Sequence, residues 1–117
     1  MLSEDDYLAR AGRELRLLVD ALDGDLADEL DAELESDILT IEFPDGARYV
    51  VNSHRAARQI WMAAERTAWH FDWDPEHSSW IATKTGDELW SALGRALSQK
   101  LGRAATLARP TARAVAD

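Results

Sequence analysis

Residues 39–52 read Leu39-Thr40-Ile41-Glu42-Phe43-Pro44-Asp45-Gly46-Ala47-Arg48-Tyr49-Val50-Val51-Asn52. Leu39, Ile41 and Phe43 alternate with Thr40 and Glu42, the period of two that sends apolar side chains to one face of a strand. Pro44-Asp45-Gly46 interrupts the pattern; proline presets φ and glycine accepts a positive φ, so the chain turns. Arg48–Asn52 then returns with Tyr49 and Val51 on one face. The stretch is a β-hairpin, and its apolar face needs a cover.

Working outward, the same period recurs. Leu30, Ala32 and Leu34 alternate with Asp31, Glu33 and Glu35, a half-buried strand with an acidic outer face. Gln59–Met62 is a fourth strand, Trp69–Asp74 a fifth and Trp80–Ala82 a short sixth. The period changes to three and four at the two ends. Leu8, Ala11, Leu15, Leu18 and Leu22 give a helix from Ser3, with Ser3 as N-cap and Asp6 as its acidic partner. Asp23-Gly24-Asp25 is expected to end it, with glycine in a left-handed C-cap. Thr85-Gly86-Asp87-Glu88 fits a capping box with Thr85 at the cap, and Leu89, Leu93, Ala96, Leu97 and Leu101 form the stripe of a second helix that stops at Gly102.

Helix, six antiparallel strands, helix is an α+β pattern. It predicts a two-layer sandwich with both terminal helices on one face of the sheet. Residues 1–102 form the domain, and Arg103–Asp117 form a C-terminal tail, partly helical before Pro110. A length of 117 residues suits one domain. With 46% hydrophobic and 30% charged residues, the composition is that of a globular chain.

Charge is segregated. The net charge is −9, yet no Lys, Arg or His lies between Leu17 and Ala47, where 11 of the 22 acids fall. That window carries −11 and the rest of the chain +2, with Arg95, Lys100, Arg103, Arg109 and Arg113 near the C-terminus. The balance argues against a nucleic-acid partner, which needs a basic footprint. Having no cysteine, the chain has neither disulfides nor thiolate metal sites. No apolar run approaches the ~20 residues of a membrane span, and the acidic N-terminus does not read as a signal peptide. A cytoplasmic location is expected.

Alternation assigns the uncovered sheet face. If Ile60 and Met62 point to the helices, Gln59 and Trp61 point outward; His70, Asp72, Asp74 and Asn52 join them. An indole on a solvated sheet is the kind of residue that anchors interfaces, whereas a one-residue shift in register would bury Trp61. Carboxylates at alternate positions, as in Asp31-Ala32-Glu33, project to one face, where hard oxygen ligands suit Fe²⁺, Fe³⁺, Mn²⁺ or Ca²⁺. Charge alone favours a plainer account, an acidic face kept for solubility. His70, Asp72, Asp74 and His77 form a weaker metal candidate, and no catalytic constellation is present.

Leu39–Asn52, followed by Gln59–Ala63, His70–Trp73, Trp80 and Thr85–Leu97, resembles the frataxins, especially the bacterial CyaY type, over about Ser3 to Gly102. The resemblance implies an iron-binding protein of iron–sulfur cluster assembly. It would modulate the complex of cysteine desulfurase and scaffold protein and deliver iron to it. Carried over from the family, weak Fe²⁺/Fe³⁺ sites fall on Asp20, Asp23, Asp25, Asp28, Glu29, Asp31 and Glu33. The partner-binding residues are Asn52, Gln59, Trp61 and His70. The resemblance also implies a monomer that forms oligomers with metal, and no enzyme. The chain departs from the family pattern at Leu18-Val19, where relatives carry acids, at Glu65-Arg66-Thr67, which replaces a glycine-rich turn, and in its longer tail. Two alternatives stand beside this reading: a ferroxidase or iron-storage protein, and an acidic interaction module without an iron function.

Overall fold

A computed structural model describes residues 2–110; the tail beyond Pro110 lies outside the described residues. Helix α1 spans Glu4–Asp25. Strands β1 (Asp31–Glu35), β2 (Ile38–Glu42), β3 (Arg48–His54), β4 (Gln59–Ala64), β5 (Thr67–Asp74) and β6 (Ser79–Ala82) follow, then α2 (Leu89–Leu101). The strands pair in sequence order as an antiparallel meander. Both helices pack on one face, giving the α+β sandwich expected from the alternating periods.

The apolar halves of the strands make that core. Leu39, Ile41, Val51, Ile60, Met62 and Phe71 are fully or almost fully buried, and Leu89, Leu93 and Leu97 of α2 close over them. The turn between β2 and β3 follows its composition, with Gly46 at φ 91°. Glu65 holds the β4–β5 turn at φ 46°, the left-handed region that a glycine would occupy without steric cost.

Four expectations need correction. The buried stripe of α1 is Tyr7, Ala11, Leu15, Leu18 and Leu22; Leu8 is exposed. Leu8 sits one position, about 100°, off that stripe, whereas the Tyr7 hydroxyl crosses the layer and donates to the Gln59 carbonyl at 2.8 Å. Helix α1 also runs through Gly24 and is closed by Leu26, whose N–H reaches the Leu22 carbonyl. Leu26 is buried one turn after Leu22, so continuing the apolar stripe outweighs the stop signal.

Helix α2 begins later than its capping box predicts. Glu88 is the N-cap and accepts from the backbone N–H groups of Trp90 and Ser91. Thr85 instead bonds Asp87, and Gly86 at φ 77° turns the chain into the helix. The tail is not helical before Pro110. It runs back along α2 as an extended strap that buries Ala105 and Leu107 at alternate positions. The Ala105 N–H donates to Ser98 Oγ at 2.8 Å. At its far end Arg109 reaches α1 and bonds both oxygens of Glu14, the one buried charged residue among those described.

Candidate functional site

The uncovered face carries two zones that sequence alternation placed there. At the β1 edge, Asp31, Glu33 and Glu35 are exposed while Ala32 and Leu34 pack inward. Together with Ile38, Thr40 and Arg48 they line a shallow concavity of about 470 Å³. Strand pairing aligns Glu35 with Ile38, Ile38 with Asn52, Asn52 with Trp61 and Trp61 with His70. One row of the sheet therefore runs from the acidic edge to the aromatic zone.

The ridge acids fall into two groups. Asp20 and Asp23 are exposed on the last turns of α1, and Asp28 is exposed in the following loop. The side chain of Asp25 lies outside what the structure describes. Glu29 is bound by the Arg103 guanidinium, whose Nε lies 3.0 Å from Oε1 and whose Nη2 contacts Oε2. Nearby, Glu42 pairs with Arg48 at 3.1 Å, and Asp45 with Lys100 at 2.6 Å. Asp20, Asp23, Asp28, Asp31 and Glu33 have no ion-pair partner among the described residues.

Among the described residues, three potential ligands converge at one place only, Asp74, Glu76 and His77 at the β5–β6 turn. Asp74 and His77 of the weaker candidate thus meet, while His70 and Asp72 lie elsewhere on β5. His77 Nδ1 lies 2.7 Å from Asp74 Oδ2. That hydrogen bond raises the imidazole above its ordinary value and lowers the carboxylate. The contact already occupies both groups with each other. The described ridge carboxylates do not form such a cluster; their chemistry fits cations that keep most of their water.

The aromatic zone differs from a bare exposed indole. Trp61 is half-buried, stacked against His70 at 4.2 Å between ring centroids and 16° between planes. On the other flank His54 stacks at 3.7 Å and 13°. The Trp61 N–H donates to Gln59 Oε1 at 2.8 Å, and Gln59 Nε2 donates to Asp72 at 3.0 Å. Asn52 donates to the Ser53 carbonyl. Thus Gln59, Trp61 and His70 form one network, with Asn52 directly opposite Trp61 across the pairing of β3 with β4. His54 lies beyond the strand end that the sequence predicts at Asn52. Its signal was parity, since His54 continues the outward series Val50, Asn52.

The fold is a helix–sheet sandwich with an acidic edge and a polar–aromatic open face. A family model described as a frataxin-like domain matches residues 1–103, and the chain belongs to the frataxin-like family. An iron–sulfur cluster assembly protein CyaY from Cupriavidus pinatubonensis is 36% identical over 103 residues, covering 85% of this chain and 90% of the relative. Its counterpart from Cupriavidus metallidurans is 36% identical over 110 residues, covering 91% and 96%. In fold, the chain is similar to a frataxin from Psychromonas ingrahamii, with TM-score 0.82 at 18% identity over 92% of this chain and all of the other. A trimeric frataxin from Saccharomyces cerevisiae complexed with ferrous iron superposes with TM-score 0.57 at 26% identity, covering 88% of this chain and 89% of that one. Among the described residues, no helix is long and apolar enough to cross a membrane.

Proposed function

We propose that this chain is an iron-binding protein of iron–sulfur cluster assembly that docks on the cysteine desulfurase and its scaffold and modulates their rate. The observation that carries the reading is the shared open face. Unpaired Asp31 and Glu33 lie at its edge, and Trp61 with its polar network lies near its centre. The names of the bacterial relatives and the ferrous iron held by the yeast protein support it.

Iron enters as cargo. Asp31 and Glu33, with Asp20, Asp23 and Asp28 nearby in sequence, offer hard oxygen donors without a closed cage. Ions held there are weakly bound and exchangeable. Glu29 contributes only after releasing Arg103. The chain acts by binding and has no catalytic turnover of its own, working in the cytoplasm as a monomer that associates further when iron bridges ridge carboxylates.

The test is capture of purified desulfurase and scaffold, with and without Fe²⁺, by the wild-type chain and by an Asp31→Lys, Glu33→Lys variant. Charge reversal is expected to weaken binding by about tenfold or more at low salt, an effect that fades as salt screens the edge. Equal capture by both proteins at low salt would show that the edge does not dock. A purely acidic interaction module, the second reading, is favoured by the lack of a convergent ligand cluster among the described ridge residues. It predicts no preference for iron over Mg²⁺, so that Mg²⁺ at a concentration comparable to Fe²⁺ restores the ridge resonances that Fe²⁺ broadens.

A further inference from the structure

The arrangement of three rings on the open face constrains how a partner meets Trp61. Strand β4 lies between β3 and β5, so His54 and His70 approach the indole from opposite sides. Both imidazoles lie nearly parallel to it, at 3.7 and 4.2 Å. Those separations leave no space for a further ring or a guanidinium against either π face. The N–H is also taken, by Gln59 Oε1. What remains of Trp61 for a partner is the carbon rim.

His54 carries a second sign of this role. Its Nδ1 is buried and has no hydrogen-bond partner. A buried unsatisfied nitrogen is costly and asks for a reason. Ring stacking supplies one, because the imidazole is held by its face and not by its nitrogen. Beside the rim, Asn52 separates Trp61 from Ile38 in one row of the sheet, and the adjacent row is largely aliphatic. Ile38 is 49% exposed, and in the adjacent row Val50 pairs with Ala63 and Ala63 with Ala68. The acids of β1 lie beyond Ile38 on the same face.

We propose that His54 and His70 are positioning residues that clamp Trp61 edge-on. The docking partner then sets an aliphatic side chain against the Trp61 rim, Ile38, Val50 and Ala63, with a basic residue beside it facing the β1 carboxylates. The inference rests on the docking function proposed above and specifies its geometry. An aromatic or arginine side chain stacked on the indole is excluded unless one imidazole leaves.

The experiment combines NMR of the free protein with titration of the desulfurase–scaffold complex. In the wild type, indole ring protons of Trp61 are shifted upfield by the flanking imidazoles. His54→Ala moves them downfield and weakens binding about three- to tenfold, the weight of one aromatic pair. His54→Phe restores the upfield shift and brings binding within about twofold of wild type, because the ring and not its nitrogen positions the indole. Ile38→Lys weakens binding at least as much as His54→Ala while leaving the Trp61 shifts in place. The clamp is overturned if His54→Ala binds like wild type, or if His54→Phe restores the shift without restoring affinity. The aliphatic contact is overturned if Ile38→Lys binds normally. A wild-type chain that keeps the upfield shift yet does not bind the complex refutes the docking function and the occupant with it.

Discussion

Replacing Arg109 by Ala removes the far anchor of the C-terminal strap, and the structure sets the size of the loss. Glu14 is only 2% exposed. Its Oε2 accepts from Trp90 Nε1 at 2.5 Å and from Arg109 Nε at 2.7 Å, and its Oε1 accepts from Arg109 Nη2 at 3.1 Å. Without Arg109 one carboxylate oxygen loses its donor, and the buried charge keeps only an indole N–H. Breaking a buried pair on one side costs about 3–5 kcal/mol. The Arg109 side chain is 35% exposed, so water reaches the site once it is gone, and we lower the figure to about 2–3 kcal/mol. For a chain of this length that is a fall in melting temperature of about 8–12 °C.

The assay is reversible urea and thermal denaturation of wild type, Arg109→Ala, Glu14→Gln and the double variant. The single changes should be strongly non-additive, with Glu14→Gln recovering part of the loss caused by Arg109→Ala. Truncation after Gly102 should cost more than Arg109→Ala, since it also uncovers the surface under Ala105 and Leu107. An Arg109→Ala variant within about 0.5 kcal/mol of wild type, the range of ordinary surface substitutions, would refute the reasoning.

Two further outcomes test smaller features. Glu88→Ala should cost about 1 kcal/mol, because it frees the N–H groups of Trp90 and Ser91; Thr85→Ala, at an exposed residue whose hydroxyl bonds only the half-buried Asp87, should cost less than about 0.5 kcal/mol by the same denaturation curves. In a proton titration followed by NMR, His77 should titrate above an ordinary histidine and return toward it in Asp74→Asn. The raised imidazole and lowered carboxylate mean that the pair supports the turn fully between the ordinary carboxylate and the ordinary histidine values. It loses that support as pH rises through the His77 titration, and again as pH falls through that of Asp74. A His77 titration unchanged by Asp74→Asn would remove the pair from the account.

Much of the fold could be read from local pattern. Leu39, Ile41 and Phe43 against Tyr49 and Val51 set the hairpin, and the three- and four-residue steps set both helices. Errors arose where tertiary burial overrode a local signal. Leu26 carries α1 through Gly24, and Glu88 takes the cap predicted for Thr85. The strap was illegible because two apolar residues in an Ala- and Arg-rich run carry no period. Its anchor, Glu14, looks like any polar helix residue until Arg109 and Trp90 are seen beside it. The open face was legible from parity at Gln59, Trp61 and His70. Its stacking was not, because alternation gives the side of a sheet and not the distance between rings. The ridge was visible as charge, whereas the pairing of Glu29 with Arg103 joins residues 74 positions apart.

The meander order of the strands bears on how the chain assembles. Every pairing in the sheet joins strands adjacent in sequence, so each step closes a short loop at small entropic cost. The sheet can grow hairpin by hairpin as the polypeptide lengthens. Closing the helical layer is a different event. The contact between Glu14 and Arg109 spans 95 positions and cannot form until Arg109 itself has been made. Before that moment the apolar core can already hold the helices on the sheet, but buried Glu14 has only the Trp90 indole N–H and no counter-charge. The order of synthesis therefore builds the sheet early and postpones the seal until Arg109 emerges.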